Sequence, residues 1–485
     1  MAFTTKKALR WAMIGGYVAF VLLVVTWKFA SPPMHHLEPE ADDPSQFNVL
    51  ELLNGPPTNS VHDNLRNDTI YITAFFQAGL TNSLMNAANL IYLAILSDRV
   101  AIIPPFDPGN IGRLQDVGVV HFGDIFDIDH FHWKTGVSLL EWRDVKRMPE
   151  VSSLAEMDLL GCWTLHATAN DRKGRPHGIQ LFKYLGLDAS YTPVPAHYHL
   201  GNQHKSFHGI AALGFPSGRA EGLVLGPQAH DDPTPFLSQH FNKAIPPDER
   251  LMCMDTVYYV AGSQPFEWER DYSPAWRFVG KHLKFSERVQ RVTEASLRRI
   301  WSLTEDEAFP RFIAIHIRHG DFQGHCGGQS LKTCFAPLSI VAEHVDRVRQ
   351  QLITRSSPWA GASAFRHVLV TSDEQDPLFW AEVRGLGWTA FGWTEANDSD
   401  WSPTMFDFRP ELLGSRDKWD HKRIVPDSWW PALVDAASQS MASGFVGTAD
   451  STMSLFAMRR VREWNSGVGV MVPFGPGMYP DAEVT

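Results

Sequence analysis

The chain lacks an excess of positive charge. Among its 485 residues, 43 are Lys or Arg and 54 are Asp or Glu, which gives a formal net charge of −11. A nucleic-acid-binding protein needs a basic field to neutralise phosphates, so this composition argues against a nucleic-acid partner. Hydrophobic residues make up 44% of the chain, enough for a substantial core, and the length favours two or more domains.

Residues 11–27 lack any charge, and no small-x-small cleavage site closely follows them. At about 1.5 Å per residue, a helix over this run just crosses a thin bilayer. Basic residues precede the run and acidic residues follow it, so the positive-inside rule places the amino terminus in the cytosol. We predict a cytoplasmic tail (1–10), a transmembrane signal anchor (11–29) and a luminal remainder. The alternative is a cleaved signal peptide.

Cysteine is scarce, with four residues in the whole chain. An even number fits disulfides in an oxidising compartment. Cys326 and Cys334 lie in one Gly-rich loop and are predicted to pair, whereas the connectivity is otherwise open. Glycosylation sequons at Asn67 and Asn397 agree with a luminal location. The sequence therefore predicts a single-pass type II membrane protein of the Golgi or endoplasmic reticulum.

The order of the elements predicts two domains after a stem. Residues 30–66 are rich in Pro and acidic residues and are predicted to be a stem without its own core. Residues 67–285 then begin with a strand (69–76), a loop with Gly79, a helix to Ser97 and a strand (100–103), which is a β-α-β unit. Residues 135–250 show weak periodicity and are predicted to be loops and short elements on the acceptor side.

The second domain, residues 286–485, shows three strand-loop-helix units after a helix capped by Ser286. An apolar run over residues 312–315 predicts a strand buried on both faces. In a doubly wound sheet, the loops after such strands line one crevice. By analogy with the GT-B architecture of glycosyltransferases, we predict an α/β, GT-B-like fold, in which two Rossmann-like domains face each other across a cleft. The polar residues of the three loops are His316 and Arg318, Ser372 and Asp373, and Ser451 and Thr452.

A segment of alternating polar and apolar residues, 116–133, contains possible metal ligands. It includes the sequence D-x-D at Asp127 and Asp129, which in some sugar transferases holds a divalent ion. The same alternation also fits an exposed strand or a turn. The possible ligands are His121, Asp124, Asp127, Asp129, His130 and His132.

Four motifs in order resemble the protein O-fucosyltransferase family, in the broad sense of GDP-fucose-dependent transferases. Residues 316–322, H-I-R-H-G-D-F, resemble its H-x-R-x-G-D-F element. Residues 79–82 resemble its amino-terminal donor loop, and residues 371–373 its second donor motif. Residues 445–448, followed by Ser451 and Thr452, resemble the third donor motif. The resemblance covers roughly residues 70–465.

This resemblance implies an inverting transfer of fucose from GDP-fucose, with no metal ion or other cofactor required. It implies that Arg318 contacts the diphosphate and stabilises the charge that develops on GDP. The donor site would also contain Gly79, Leu80 and Asn82, with Asn82 near the reacting centre. His316 would contact the nucleotide, Asp373 the guanine, and Ser451 and Thr452 the phosphate oxygens. The partners would be a nucleotide sugar and a protein or glycan acceptor that the sequence does not identify.

The donor loop departs from the family in lacking a carboxylate. Some members use a Glu there as general base, but residues 77–82 read Q-A-G-L-T-N. Asp321 or another acid serves instead, or the step is dissociative, or the protein is an inactive GDP-sugar-binding homologue. A further alternative is a histidine-type phosphohydrolase with His319 as nucleophile in the R-H-G sequence. That reaction needs a second His/acid pair, for which Glu343 and His344 are the candidates.

Overall fold

A computed structural model describes most of the chain from residue 48 onwards. The described residues all belong to one unit, Phe47–Thr485. The predicted tail, the predicted anchor and the second sequon, Asn397, lie outside them. No helix within the described ranges is long and apolar enough to cross a membrane. The described ranges are 48–76, 78–148, 157–165, 179–201, 204–228, 236–270, 273–355, 365–391 and 425–479.

The first half of the unit forms a six-stranded parallel sheet in the order β3-β2-β1-β7-β4-β5. A two-stranded parallel sheet joins β6 to β8. The strands are β1 (Tyr71–Ala74), β2 (Val100–Ile103), β3 (Leu139–Glu141), β4 (Asp158–Thr164), β5 (Leu187–Pro193), β6 (Lys205–Ser206), β7 (Leu251–Met254) and β8 (Val260–Ala261).

The second half forms a five-stranded parallel sheet in the order β11-β10-β9-β12-β13. Counted within this sheet, the order is 3-2-1-4-5, which is the order of a doubly wound sheet. The fold is therefore α/β with parallel sheets, as the sequence predicts. The strands are β9 (Phe312–Ile317), β10 (His367–Ser372), β11 (Thr389–Ala390), β12 (Gly444–Thr448) and β13 (Val468–Val472).

The helices connect these parallel strands and cover the sheets. In chain order they are α1 (Val61–Asn64), α2 (Leu80–Ser97), α3 (Leu114–Val117), α4 (Phe122–Ile125), α5 (Ile128–Thr135), α6 (Trp142–Val145), α7 (Ile179–Leu185), α8 (Phe207–Ala212), α9 (Pro216–Gln228), α10 (Pro274–Phe278), α11 (Glu287–Ile300), α12 (Leu331–Cys334), α13 (Leu338–Arg355), α14 (Pro377–Gly385), α15 (Trp430–Met441) and α16 (Thr452–Asn465). Short 3-10 helices include Val49–Leu52 and Gly320–Cys326.

The central strand β9 is buried on both faces, as its apolar sequence predicts. Phe312 and Ala314 belong to a core cluster that also contains residues of α15 and α16, whereas Ile313 and Ile315 pack with residues of α13. The first of these clusters also contains Ile72 of β1 and most apolar residues of α2. One hydrophobic core therefore joins the two sheets.

The helices and strands around the predicted donor loops match the sequence-based predictions closely. Strand β2 has the predicted bounds, and α2 begins directly after Gly79. Helix α11 begins after Ser286, whose hydroxyl accepts a hydrogen bond from the backbone of Val289. These elements carry strong local signals, namely a cap residue or a short β-branched run bounded by Pro.

The predicted stem differs from the structure over residues 48–66. Val49, Leu53, Val61 and Leu65 are buried, and they pack in a core cluster with strands of the first sheet. Isolated apolar residues among prolines gave no periodic signal, but the sheet supplies the surface on which they are buried. Residues 30–47 of the predicted stem lie outside the described residues.

The sequence predicts only loops and short elements for residues 135–250. This prediction is wrong, because the range contains two long strands. Strands β4 and β5 run for seven residues each and are paired along their whole length. Their sequences contain Gly, Asp, Ser and Pro, which disfavour strands locally. Burial against neighbouring strands overrides that preference.

Both disulfides lie within the described residues. Cys326 pairs with Cys334, as the sequence predicts. Cys162 pairs with Cys253, and these two residues stand opposite each other on the neighbouring strands β4 and β7. The second pairing was open at the sequence level because the two residues are 91 positions apart.

Leu53→Ala tests whether residues before the first strand belong to the core. Leu53 is 2% exposed, so the substitution should lower the free energy of unfolding by about 2–5 kcal/mol. Leu378→Ala is the control, because Leu378 is 77% exposed and its truncation should cost less than about 0.5 kcal/mol. Urea unfolding followed by fluorescence measures both. Equal midpoints for the two variants would contradict the packing of this segment.

Candidate functional site

The predicted donor loops lie at the points where the strand order reverses. In the second sheet, β9 and β12 are neighbours although two strands separate them in the chain. In the first sheet, β1 and β7 are neighbours in the same way. The loop after β9 carries Arg318. The loop after β1 ends at Gly79, and Asn82 lies in the first turn of α2. Ligands of open α/β sheets bind at such positions, outside the carboxyl ends of the strands.

Two carboxylates hold the guanidinium group of Arg318. Nη1 contacts Oδ2 of Asp373 at 2.9 Å, and Nε and Nη2 contact Oδ1 of Asp321 at 3.0 and 2.9 Å. The backbone N–H of Arg318 donates to Oγ1 of Thr448 at 3.0 Å. The loop after β9 is therefore bonded to the loop after β10 and to the end of β12. The guanidinium has five N–H donors, and these contacts leave two for a ligand.

Asp321 is the predicted alternative general base, and its carboxylate is engaged. Its Oδ1 atom receives hydrogen bonds from two nitrogens of Arg318. A base must have an oxygen within reach of the proton that it abstracts. The contacts of Oδ1 orient Arg318, and the role of Asp321 as general base stays a prediction.

His316 lies in the interior of the second sheet and is 3% exposed. Its Nδ1 atom lies 2.7 Å from Oγ of Ser454, in the first turn of α16. Burial lowers the pKa of His316 to about 3, and the nearby charge of Arg318 acts in the same direction. His316 is therefore neutral at physiological pH and attaches α16 to β9. Its predicted contact with the nucleotide stays a prediction.

The amino termini of α2 and α16 are in contact across the two sheets. Oγ1 of Thr452 donates to Oδ1 of Asn82 at 2.8 Å. Because Thr452 uses its hydroxyl proton in this bond, the hydroxyl of Thr81 is the donor in the second bond. The hydroxyl oxygens of Thr81 and Thr452 are 2.7 Å apart. The first N–H groups of both helices have no acceptor within their own helix, and both helix dipoles are positive there. This arrangement is suited to an anion.

His319 lies beside a small cavity at the carboxyl end of β9. Its backbone N–H donates to Oδ1 of Asp373 at 2.9 Å, and its Nδ1 lies 2.7 Å from Oε2 of Glu374. The acid next to His319 is therefore Glu374, and the Glu343 of the phosphohydrolase alternative lies on α13. The cavity is lined by His319, Phe335, Thr448 and Phe474, among others.

Aromatic stacking and a disulfide shape the loop after β9. The ring of Phe474 stacks on Phe335 at 5.6 Å and on Phe322 at 5.1 Å between centroids. The Cys326–Cys334 disulfide belongs to the same cluster. These contacts give the loop its own small core, which lowers the freedom of the segment that follows Arg318.

Two of the possible metal ligands, Asp124 and Asp127, have other roles in the structure. Within the part of the chain that the structure describes, no group of three His, Cys, Asp or Glu residues could hold a metal ion. Asp124 forms an ion pair with Arg143 at 3.1 Å. Asp127 caps α5 by accepting from the backbone of His130 at 2.9 Å. Residues 116–133 form three short helices, so the expectation of a strand or turn is wrong in type.

The structure brings the four predicted motifs together through hydrogen bonds. Asn82 meets Thr452, and Arg318 meets both Asp373 and the strand that leads to Ser451. Ser451 caps α16 by accepting from the backbone of Ser454 at 3.4 Å. Both oxygens of Asp373 accept bonds from residues 318–319, so its contact with guanine stays a prediction. Sequence reasoning missed the roles of Thr81, Glu374, Thr448 and Ser454, which all lie inside or beside the predicted motifs.

The structure is similar to solved fucosyltransferase structures at low sequence identity. One is POFUT1 in complex with GDP-fucose, with 15% identity, a TM-score of 0.42, and coverage of 85% of this chain and 99% of that chain. Another is the fucosyltransferase NodZ from Bradyrhizobium, with 11% identity, a TM-score of 0.36, and coverage of 81% and 93%. No protein-family model and no curated protein matches the chain.

Both TM-scores lie below 0.5 and both identities below 25%, so this likeness assigns no function to the chain.

Gly320→Ala tests the close approach between the loop after β9 and Asp373. A Cβ atom at Gly320 would lie 2.2 Å from Oδ2 of Asp373, the atom that binds Arg318. The substitution should displace Asp373 and cost about 1–3 kcal/mol of stability. Gly324→Ala is the matched control, because a Cβ atom there meets nothing within 4 Å. Thermal unfolding of the two variants compares them, and equal stability would contradict the contact.

His316→Gln tests the neutral, buried state of the histidine. The folded pKa of about 3 lies below the usual value of 6.5, so between these values the unfolded chain binds one proton more at this residue. Stability from this residue is therefore complete above pH 6.5 and falls as the pH falls. The wild type should lose roughly 2 kcal/mol more than His316→Gln between pH 7 and pH 5. Urea unfolding at both pH values measures the difference, and parallel losses would contradict burial of a neutral ring.

Proposed function

We propose that this chain is an inverting, GT-B-type glycosyltransferase that moves fucose from GDP-fucose to a hydroxyl group of a protein or glycan. One observation carries the proposal. Loops from the two sheets meet at the amino termini of α2 and α16, and the latter follows the strand that anchors Arg318. A diphosphate bound there would receive backbone N–H groups from two helices and N–H groups from a guanidinium.

Arg318 would supply the electrostatic part of catalysis. The acceptor hydroxyl oxygen attacks C1 of the fucose, and the bond between C1 and the β-phosphate oxygen breaks with its electron pair going to GDP. Negative charge then grows on the diphosphate, where a fixed positive charge stabilises the transition state more than the ground state. The ion pairs with Asp321 and Asp373 hold the guanidinium in place before the donor binds.

The same site provides positive charge without a metal ion. Arg318 and two helix amino termini would together balance the charge that a divalent ion balances in other sugar transferases. Ser451 and Thr452 would add hydroxyl groups to the phosphate oxygens. Donor binding is therefore proposed to be independent of divalent cations.

The nucleobase would bind near the carboxyl end of β10. Guanine presents N–H donors along one edge, and Asp373 keeps acceptor capacity because each of its oxygens has two lone pairs. The side chain of Asp373 is 26% exposed. The aromatic lining of the neighbouring cavity, with Phe335 and Phe474, suits a planar base.

We also propose that the chain is a type II membrane protein with its catalytic part in the lumen of the Golgi or endoplasmic reticulum. Two disulfides within the unit support an oxidising compartment. Asn67 of the first sequon is exposed, so a glycan can be attached there. The charge pattern around residues 11–29 supports the orientation.

The main alternative is a homologue that binds GDP-fucose without turning it over. It shares the donor site and differs only in the release of GDP, so a turnover assay distinguishes it from a transferase. No contact among the described residues adds support to the phosphohydrolase alternative.

Calorimetric titration of GDP and GDP-fucose into the full-length protein, with EDTA present, tests the donor site. We expect micromolar binding that survives EDTA. Arg318→Ala should weaken it at least tenfold, which is about 1.4 kcal/mol. Arg318→Lys should also weaken it, because a lysine keeps the charge and loses the fork of donors. Arg347→Ala is the control, since Arg347 is exposed on α13.

Absence of binding by the folded wild type would overturn the GDP-sugar hypothesis. Phosphatase assays with His319→Ala would then test the remaining enzyme class. Equal affinity of the wild type and both Arg318 variants would remove Arg318 from the donor site.

A further inference from the structure

The donor loop after β1 lacks a carboxylate, but the structure brings one to it from the next strand. Asp107 lies in the loop after β2, and β2 pairs in parallel with β1. The two loops therefore leave the same edge of the sheet. We propose that Asp107 is the general base that accepts the proton of the acceptor hydroxyl. The inference rests on the proposed transferase function and names a residue that it left open.

A tight turn at Gly109 packs the segment that contains Asp107 against the donor loop. The backbone N–H of Gly109 donates to Oδ1 of Asp107 at 2.9 Å. Gly109 has φ of 52°, and a Cβ atom there would lie 2.6 Å from the carbonyl oxygen of Ala78 and 2.9 Å from the nitrogen of Gly79. Only glycine fits so close to another backbone. Given these contacts and standard bond lengths, Oδ1 of Asp107 lies within about 9 Å of the nitrogen of Gly79, the residue before α2.

The donor loop is itself strained where the turn touches it. Ala78 has φ of 108°, which residues other than glycine rarely adopt. Such a conformation costs of the order of 1–3 kcal/mol and persists where the surroundings enforce it. The hydroxyl of Ser83 donates to the carbonyl of Ala78 at 3.3 Å, and Gly109 packs against the same carbonyl. The position of Asp107 relative to the loop is therefore well determined.

The carboxylate of Asp107 is suited to accept a proton. It is 8% exposed, and within the described ranges its hydrogen bond from the chain is the one from Gly109 to Oδ1. Oδ2 therefore remains for a substrate hydroxyl.

Other carboxylates at the same edges are engaged elsewhere. Oδ1 of Asp321 is bound by Arg318. Asp255, which follows β7, is fully buried and accepts hydrogen bonds from the hydroxyl of Thr164 and the backbone of Leu165. Of these three acids, Asp107 is the one whose turn packs against the donor loop, and no described residue binds its Oδ2.

The chemical step is a single displacement with one proton transfer. The acceptor oxygen forms a bond to C1 of the fucose, and the bond from C1 to the β-phosphate oxygen breaks. The hydroxyl proton passes to Oδ2 of Asp107, and GDP leaves with the bonding electron pair. The protonated Asp107 then returns its proton to solvent. Water can take the place of the acceptor, and the products are then fucose and GDP.

Hydrolysis of GDP-fucose by the full-length protein tests this role without a known acceptor. GDP release is measured for the wild type, Asp107→Asn and Asp107→Ala, alongside calorimetry with GDP. We expect GDP release to fall about 100-fold in both variants, while the affinity for GDP stays within about twofold. Formate should restore part of the rate in Asp107→Ala, which leaves space for it, and none in Asp107→Asn. Asp116→Asn is the control, because Asp116 is exposed and pairs with Arg113 in the same segment.

The outcomes separate this inference from the proposed function. Failure of the wild type to bind GDP would overturn the transferase itself. Normal GDP binding with an unchanged rate in Asp107→Asn would overturn the role of Asp107 alone. Loss of GDP binding in that variant would also overturn it, because Asp107 would then be part of the donor site. Absence of GDP release from a wild type that binds GDP-fucose would count against it, since a base beside C1 would activate water.

Discussion

The register of β9 between its two neighbours is the constraint on which the candidate site depends. His316 stands opposite Thr371 on β10 and Gly447 on β12, and one position beyond it the chain leaves the sheet toward Arg318. A shift by one residue would turn His316 to the other face and carry Arg318 away from Asp373 and Thr448. The apolar residues of β9 prevent this shift, because both of its faces are buried in different core clusters.

Of His316 and Arg318 at the end of β9, only Arg318 carries a positive charge that can bind an anionic ligand. Arg318 is held by two carboxylates, while the buried His316 stays neutral and contributes a hydrogen bond instead of a charge. A protonated His316 would add a second positive charge in a dry environment, which burial opposes. The donor groups of the site are therefore oriented in advance, which is the condition for effective electrostatic stabilisation.

The packing between the two halves of the protein also positions the candidate site. Arg460 of α16 is 2% exposed and lies over the rings of Phe285 and Trp464, at 4.5 and 5.2 Å from their centroids. Burial lowers its pKa to about 9. Phe126 of the first half lies near the same guanidinium and stacks on Phe285. This apolar contact supports the approach of Asn82 to Thr452, because α16 carries both Arg460 and Thr452.

Local patterns were sufficient for the elements around the site. Short apolar runs indicated β2 and β9, and the cap residue Ser286 indicated α11. Strands β4 and β5 and the buried residues before β1 carry no such periodicity. Their structure depends on surfaces contributed by distant segments, so it could not be predicted from local sequence. The motifs also indicated which residues would meet, since parallel strands end at one edge of a sheet.

The contacts that give those residues their roles required the tertiary structure. Asp321 and Asp373 both bind Arg318, and Glu374 binds His319, although the sequence shows only that acids are nearby. Asp107 is separated from the donor loop by a helix and a strand, and only the parallel pairing of β1 and β2 brings the two together. Sequence patterns report periodicity and capping within a segment, whereas hydrogen bonds between loops depend on how distant strands are placed in the sheet.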